Sequence, residues 1–480
     1  MKRSESPKLI PVLLRSVCLL ACLCASPAIA DTMPKPAHGV VGVEEVHLDP
    51  EFWVSRLADA DRVVMMRQAI EEQNARLFEL DSSMHDLRKL PGALPRDYVV
   101  SLIEDLASAP SGMLFDEGGK PVSMGTVKAI AKNRNLDDVP SEQATRYGLV
   151  VHRADLRTFP TTLRVFRATG NTDIDRFQES ALFPGTPVVI AHESGDGEWW
   201  FVISPRYAAW IEKQHVAEGT AAEVLSYVDK TPYRVITGAT VETVFNPEQP
   251  AVSELQLDMG VRVPVFAGQA DEPVNGQHPY SAHVIELPVR ADEGQLRLMP
   301  ALLRKNSDTA GDYLPLTRAN IIRQGFKFLG ERYGWGHSYN GRDCSGFVSE
   351  VYQSMGALMP RNTSAQSVSP ALQARLFSAE DGQKARIDAV RSLDVGDLVF
   401  IPGHVMMVIG NIDGEPYVIH DTTGITYRSD GGELARVSLN AVSVTPLLPL
   451  RVNEAETYVD RMTSIVRIVP DTSKEASPSL

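Results

Sequence analysis

Cys344, His404 and His420 are the residues whose types and order suit covalent catalysis. The chain has four cysteines, and Cys18, Cys22 and Cys24 all fall within its first 30 residues, so Cys344 stands alone beyond them. An unpaired thiol in an oxidising compartment is a hazard unless it does chemistry. Cys344 follows Asp343 at the expected start of a helix that carries Phe347, Val348, Val351, Tyr352 and Met355 and stops at Gly356. Unsatisfied N–H groups at a helix start stabilise an anion, which favours the thiolate there. His404 opens one apolar strand and His420 closes another. Antiparallel pairing of the two would set the imidazoles side by side before the helix start, one moving a proton and the other orienting it. The plainer alternatives are a small buried thiol and two hydrogen-bonded structural histidines.

The compartment is written at the N-terminus. Lys2, Arg3 and Lys8 precede a short apolar stretch from Ser16 to Ala25, and Ala28-Ile29-Ala30 supplies the small-x-small site of a signal peptide spanning 1–30. The expected location is therefore the periplasm or cell envelope. The apolar run is too short for a membrane span of about 20 residues. Leu19-Leu20-Ala21-Cys22 also resembles a bacterial lipoprotein box, in which Cys22 becomes a lipidated N-terminus; the two processing sites compete.

The elements that must position the thiol belong to a chain of 480 residues, beyond the size at which one core keeps growing. Hydrophobic residues at 43% and charged ones at 22% exclude a wholly disordered or fibrous chain. The net charge of −14 argues against nucleic acid as a partner. A helical periodicity runs from Phe52 to Phe78, with Val63, Met66, Ile70 and Leu77 in step, and a further helix is expected over Tyr98–Leu106. Residues 31–135 thus form a helical, otherwise irregular extension. Strand-like runs follow at Gly148–His152, Thr162–Phe166, Pro187–Ala191 and Trp199–Ile203, which read as a small β-barrel over 136–222. A similar series over 223–312 suggests a second barrel. From 313 to 469 helix gives way to sheet, an α+β domain, and 470–480 is a polar tail expected to be disordered. Trp199, Trp200 and Trp210 read as core, Trp335 as packing and His337 as a loop residue. His152, His192, His278 and His283 lack metal-ligand spacing.

Tyr333-Gly-Trp335-Gly336, then Gly341-Arg-Asp343-Cys344-Ser345-Gly346-Phe347, then Gly396-Asp397-Leu398, Gly403-His404-Val405 and His420, resemble the NlpC-type cell-wall cysteine peptidases of the papain-like superfamily. Arg153–Pro160 and Asp196–Trp200, with Tyr207 and Trp210, are similar to the first bacterial SH3-like domain of a subgroup of that family. The resemblance implies cleavage of peptidoglycan stem peptides or muropeptides, typically at the γ-D-glutamyl to meso-diaminopimelate bond, without metal or cofactor. It implies Cys344 as nucleophile, His404 as acid/base and His420 as the orienting third member. The Cys344 N–H and the Tyr333 hydroxyl would hold the oxyanion and Ser345 would line the cleft, while Asp343, Asn362, Thr363 and Tyr207 fall at substrate-binding positions. Two departures stand out. His337 occupies a family glycine, and Arg361-Asn362-Thr363 stands where relatives carry Arg-Asp-Ser. In the subgroup that Asp helps hold the free amine of an N-terminal L-alanine, so strict specificity for such ends is in question unless another acid substitutes. A wall-binding scaffold without turnover, and an amidase or acyltransferase of the same superfamily, are the competing functions.

Overall fold

The computed structural model describes residues 39–106, 112–266, 272–429 and 431–468; the leader with Cys22 and the polar tail lie outside them. The expected long helix over Phe52–Phe78 is instead two helices, α1 (Pro50–Val54) and α2 (Arg67–Leu80), separated by a turn and the strand Val63–Met65. Asp59 takes φ 54 in that turn, a left-handed conformation no helix interior accepts. Asp49 caps α1 through the Glu51 N–H, with Pro50 in its first turn. Ile70 and Leu77, seven residues apart on α2, are buried, whereas Met66 is exposed.

These first helices complete the core of the C-terminal lobe. Trp53, Met65, Ile70 and Leu77 share one apolar cluster with Phe347, Val351, Leu398, Val405 and Met407. Trp53 is 1% exposed and lies so close to Gly410 that a Cβ there would sit 2.6 Å from the indole. Polar stitches follow the apolar ones. Arg67 donates to the Met355 and Tyr313 carbonyls, Asn74 bridges Gly356 and Leu358, and Ser369 donates to Asp81. The helix α3 (Arg96–Leu106) packs elsewhere: Val99 and Ile103 join Val189, Trp199, Phe201 and Trp210 beneath the first sheet region. α4 (Met124–Lys132) is capped by Ser123.

Neither expected barrel closes. The first region is a seven-stranded sheet in the order Val216–Gly219, Arg146–Val150, Pro187–Glu193, Trp199–Ile203, Ala208–Glu212, Ala154–Arg157 and Gln178–Leu182. Its edges are covered by other parts of the chain, so their unpaired backbone groups do not need each other. At one edge the Glu218 N–H donates to the Gly294 carbonyl. At the other, the Gln178 amide donates to the Gly336 carbonyl and the Trp335 indole N–H to the Gln178 carbonyl. The expected strand over Thr162–Phe166 forms no ladder; Phe166 makes a single bridge with Phe115. After α5 (Ala221–Asp229), capped by Thr220 and Glu223 in a reciprocal box, the second region holds three small sheets rather than one. Its longest pair is the hairpin Ala282–Arg290 with Leu296–Arg304, and Ile236, Val263, Ile285 and Leu303 fill its core.

In the last lobe α6 (Arg318–Phe326), α7 (Cys344–Gln353), α8 (Thr363–Gln366) and α9 (Gln383–Arg391) accompany a six-stranded sheet. Its order is Gln373–Leu376, Ser464–Arg467, Leu398–Ile401, His404–Ile412, Glu415–Thr422 and Ala441–Pro446, antiparallel throughout. α7 lies against His404–Ile412 and Glu415–Thr422. The α+β expectation thus holds for this lobe. Among the described residues no helix is long and apolar enough to cross a membrane.

Candidate active site

Asp343 begins the nucleophile helix: its carboxylate accepts the Gly346 N–H at 2.8 Å and the Gly336 N–H at 3.1 Å. Cys344 is the first residue of α7, which buries Phe347, Val348, Val351 and Tyr352 and leaves through Gly356 at φ 85. That terminus aims Cys344 at the hairpin carrying both histidines. The Val405 N–H points at its sulfur, and the side chain is 5% exposed.

His404 Nε2 and His420 Nδ1 lie 2.8 Å apart, and His420 Nε2 lies 3.1 Å from Thr445 Oγ1. Since the Thr445 hydroxyl can donate or accept, two tautomer chains satisfy all three groups; in the one that frees a base, His404 donates from Nε2, His420 accepts at Nδ1 and donates from Nε2 to the threonine. That leaves the Nδ1 lone pair of His404 as the base. Desolvation lowers the His404 pKa to about 4, and it lowers His420 well below the usual imidazole range.

The expected thiolate is corrected by the surroundings. Burial, then the neighbouring Asp343 carboxylate, push the Cys344 thiol up to about 12, against the Val405 N–H, which favours the anion. Both shifts, of Cys344 and of His404, run toward a neutral thiol and a neutral imidazole. Tyr333 is buried within the field of Cys344, Asp343 and Asp421, and desolvation raises its pKa. Asp421 follows His420; both its carboxyl oxygens are buried without a hydrogen-bond partner, and burial followed by the Asp343 carboxylate pushes its pKa well above the ordinary carboxylate range.

Ser345 and Asp343 are not open to the cleft. The Ser345 hydroxyl donates to Asp343 and accepts from Arg361, so it serves the helix start. Arg361 spends every donor: on Ser180 at 2.7 Å, on Ser345, on both Asp343 oxygens and on His337 Nδ1 at 2.8 Å. His337, expected as a loop residue, is buried with φ 65, a conformation that suits the glycine of relatives. Its second nitrogen meets Glu350 at 3.0 Å, and these two bonds hold the imidazole in that strained place. Next to the nucleophile pair, Arg342 is fully buried between Glu350, Glu331 and Asp258, which fastens the second sheet region to the helix start.

Asn362 is exposed and Thr363 half-buried at the start of α8. The Tyr207 hydroxyl donates to Glu179 at 2.6 Å and also meets the Asn362 side chain. Thr158 donates to the other Glu179 oxygen. Glu179 stands on the edge strand stitched to Trp335 and Gly336, and burial raises its pKa despite Arg361 nearby. The sequence reading missed Glu179, Thr445 and Asp421. Only packing between distant segments gives them meaning, and no local motif marks them. Among the described residues no group of His, Cys, Asp and Glu is arranged to hold a metal.

Residues 330–435 match the NlpC/P60 family, and residues 164–212 match the SH3 domain of SH3b1 type. The chain is similar to the gamma-D-glutamyl-L-lysine dipeptidyl-peptidase of Bacillus cereus, 28% identical over 212 residues. That match covers 41% of this chain and spans 56% of the relative's length. An NlpC/P60 endopeptidase from Photobacterium damselae subsp. piscicida shares the fold, with TM-score 0.70 and 17% identity over 86% of this chain and 96% of that one. The SH3 and NlpC/P60 regions expected from the motifs are thus both present.

Proposed function

We propose that this chain, with its NlpC/P60 domain joined to an SH3 domain, is a cysteine peptidase that cuts peptidoglycan stem peptides after γ-D-glutamate. The observation that carries this reading is Cys344 at a helix start facing the Val405 N–H, beside the His404–His420–Thr445 relay. Because both pKa shifts favour neutral thiol and imidazole, the Cys344 proton passes to His404 Nδ1 as the sulfur attacks the γ-carbonyl. The oxyanion forms beside the Cys344 N–H and the Tyr333 hydroxyl. His404 then gives its proton to the leaving amine, and a water it deprotonates hydrolyses the thioester. His420 keeps His404 in the reactive tautomer.

Glu179 answers the missing acid at Asn362. Its carboxylate, held by Tyr207 and Thr158 and met by the Asn362 side chain through that tyrosine, is the group we assign to the free α-amine of an N-terminal L-alanine. The bond cut is then the one between γ-D-glutamate and the third residue, meso-diaminopimelate or lysine. The basic and apolar leader with its Ala-Ile-Ala site supports export, and sequencing the mature N-terminus separates cleavage after Ala30 from processing at Cys22.

Digestion of purified muropeptides followed by mass spectrometry tests the reaction. Release of L-Ala-γ-D-Glu with a freed diamino-acid amine is expected. An inert wild-type chain, indistinguishable from Cys344→Ala, would leave only a wall-binding role.

A further inference from the structure

On the face of α7 carrying Gly346, Glu350 and Gln353 lies a cavity of about 410 Å³, whose lining includes neither Cys344 nor His404. Its size falls within the roughly 300–1,000 Å³ of small-molecule sites. The first helices, both sheet regions and the last lobe all contribute walls. Phe78, Leu182, Phe183, Leu225 and Leu358 make much of it apolar.

The charges facing it do not balance. Four guanidinium groups, of Arg88, Arg206, Arg262 and Arg361, meet two carboxylates, of Asp86 and Glu350. Arg88 pairs with Asp229 and Arg361 with Asp343. Arg262 donates to the Val228 and Lys230 carbonyls and lies 3.8 Å from the Tyr233 ring centre. Asp86 is taken by Lys89, and Glu350 by Arg342 and His337. Neither Arg262 nor Arg206 has a carboxylate partner, but Arg262 is met by two carbonyls, whereas Arg206 Nη1 donates to Gln353 Oε1 at 3.0 Å and its Nε is out of solvent with no acceptor. Among the described residues no carboxylate lies within ion-pair distance of it. A desolvated cation with a spare donor, beside an apolar chamber, attracts an anion that brings its own apolar body. Desolvation accordingly lowers the Arg206 pKa to about 10.

We propose that this cavity binds an amphiphilic monoanion, with its carboxylate or phosphate head on Arg206 and its apolar body against Phe78, Leu182 and Leu358. The lining lacks Cys344 and His404 but shares Tyr207 with the Glu179 subsite; the proposal does not depend on the peptidase assignment.

Titration calorimetry of the full chain with decanoate, decyl phosphate and neutral decanamide tests it. One site is expected, with the better anion at least tenfold tighter than decanamide; whichever anion wins identifies the head group. Arg206→Gln should abolish that preference, and Leu225→Trp, which fills the rim without touching the charge, should weaken the anion at least tenfold. No binding by either anion, equal binding of decanamide, or a preference that survives Arg206→Gln overturns the proposal. If Arg206→Gln fails to fold, an unchanged affinity in Leu225→Trp does the same.

Discussion

Glu179→Gln separates recognition of the substrate amine from chemistry at the thiol. The substitution keeps the side-chain volume and one acceptor for Tyr207 or Thr158, and removes the charge and the other acceptor. Truncating one partner of a buried, hydrogen-bonded charge pair costs about 2–5 kcal/mol. Since the amide still accepts a bond from the ammonium, the lower half applies, about 2–3 kcal/mol. At about 1.4 kcal/mol per tenfold, kcat/KM for L-Ala-γ-D-Glu-diaminopimelate should fall roughly 30- to 150-fold. The same peptide acetylated at its amine should change less than about threefold by the same arithmetic. The assay is release of the diamino-acid amine from each peptide under pseudo-first-order conditions. A pH series adds a second reading. Burial raises the Glu179 pKa, so its carboxylate is lost at a higher pH than an ordinary one. The free-amine peptide should lose activity on acidification before the blocked peptide does, the latter following His404 at about 4. Equal losses on both peptides in Glu179→Gln, or none on either, would refute the assignment of Glu179 to the amine.

Other outcomes follow from the same geometry. Because burial and Asp343 hold Cys344 as a thiol, alkylation by iodoacetamide should rise about tenfold per pH unit above neutrality; a plateau already reached near pH 6 would mean a preformed ion pair instead. Thr445→Val removes the partner of His420 Nε2 and should lower kcat about tenfold, the worth of roughly one hydrogen bond, with KM little changed in initial-rate assays. Trp53→Ala should destabilise by about 3–5 kcal/mol in denaturant titration, a loss that a detachable N-terminal extension would not show. Arg342→Met leaves Asp258, Glu350 and Glu331 facing one another and should cost about 3–5 kcal/mol, measured in the same way.

The nucleophile helix and the two histidine strands were legible because each carries its own local signals. The apolar spacing from Phe347 to Tyr352, Asp343 before it and Gly356 after it mark one helix, and the runs after His404 and before His420 are continuous buried strands. Where tertiary contacts overrule periodicity, local reading fails. Val63 and Met66 keep helical spacing with Ile70, yet Val63 pairs with Thr317 in a short ladder. The sheet edges at Gln178–Leu182 and Val216–Gly219 are satisfied by loops from far along the chain, so alternating strands alone suggested closed barrels. Glu179 and Arg206 are single polar residues in ordinary surroundings, and their environment is assembled from segments distant in sequence.

The seating of α1 and α2 beside the nucleophile helix also sets a schedule. Arg67 finds its acceptor at Met355, and Asp81 its donor at Ser369, each 288 residues downstream. As a ribosome delivers the N-terminus first, these groups must wait for most of the remaining chain, and contacts so remote in sequence close slowly. A half-translated polypeptide therefore holds no assembled hydrolase. The helix α2 finds its polar partners only once the chain has been made past Ser369.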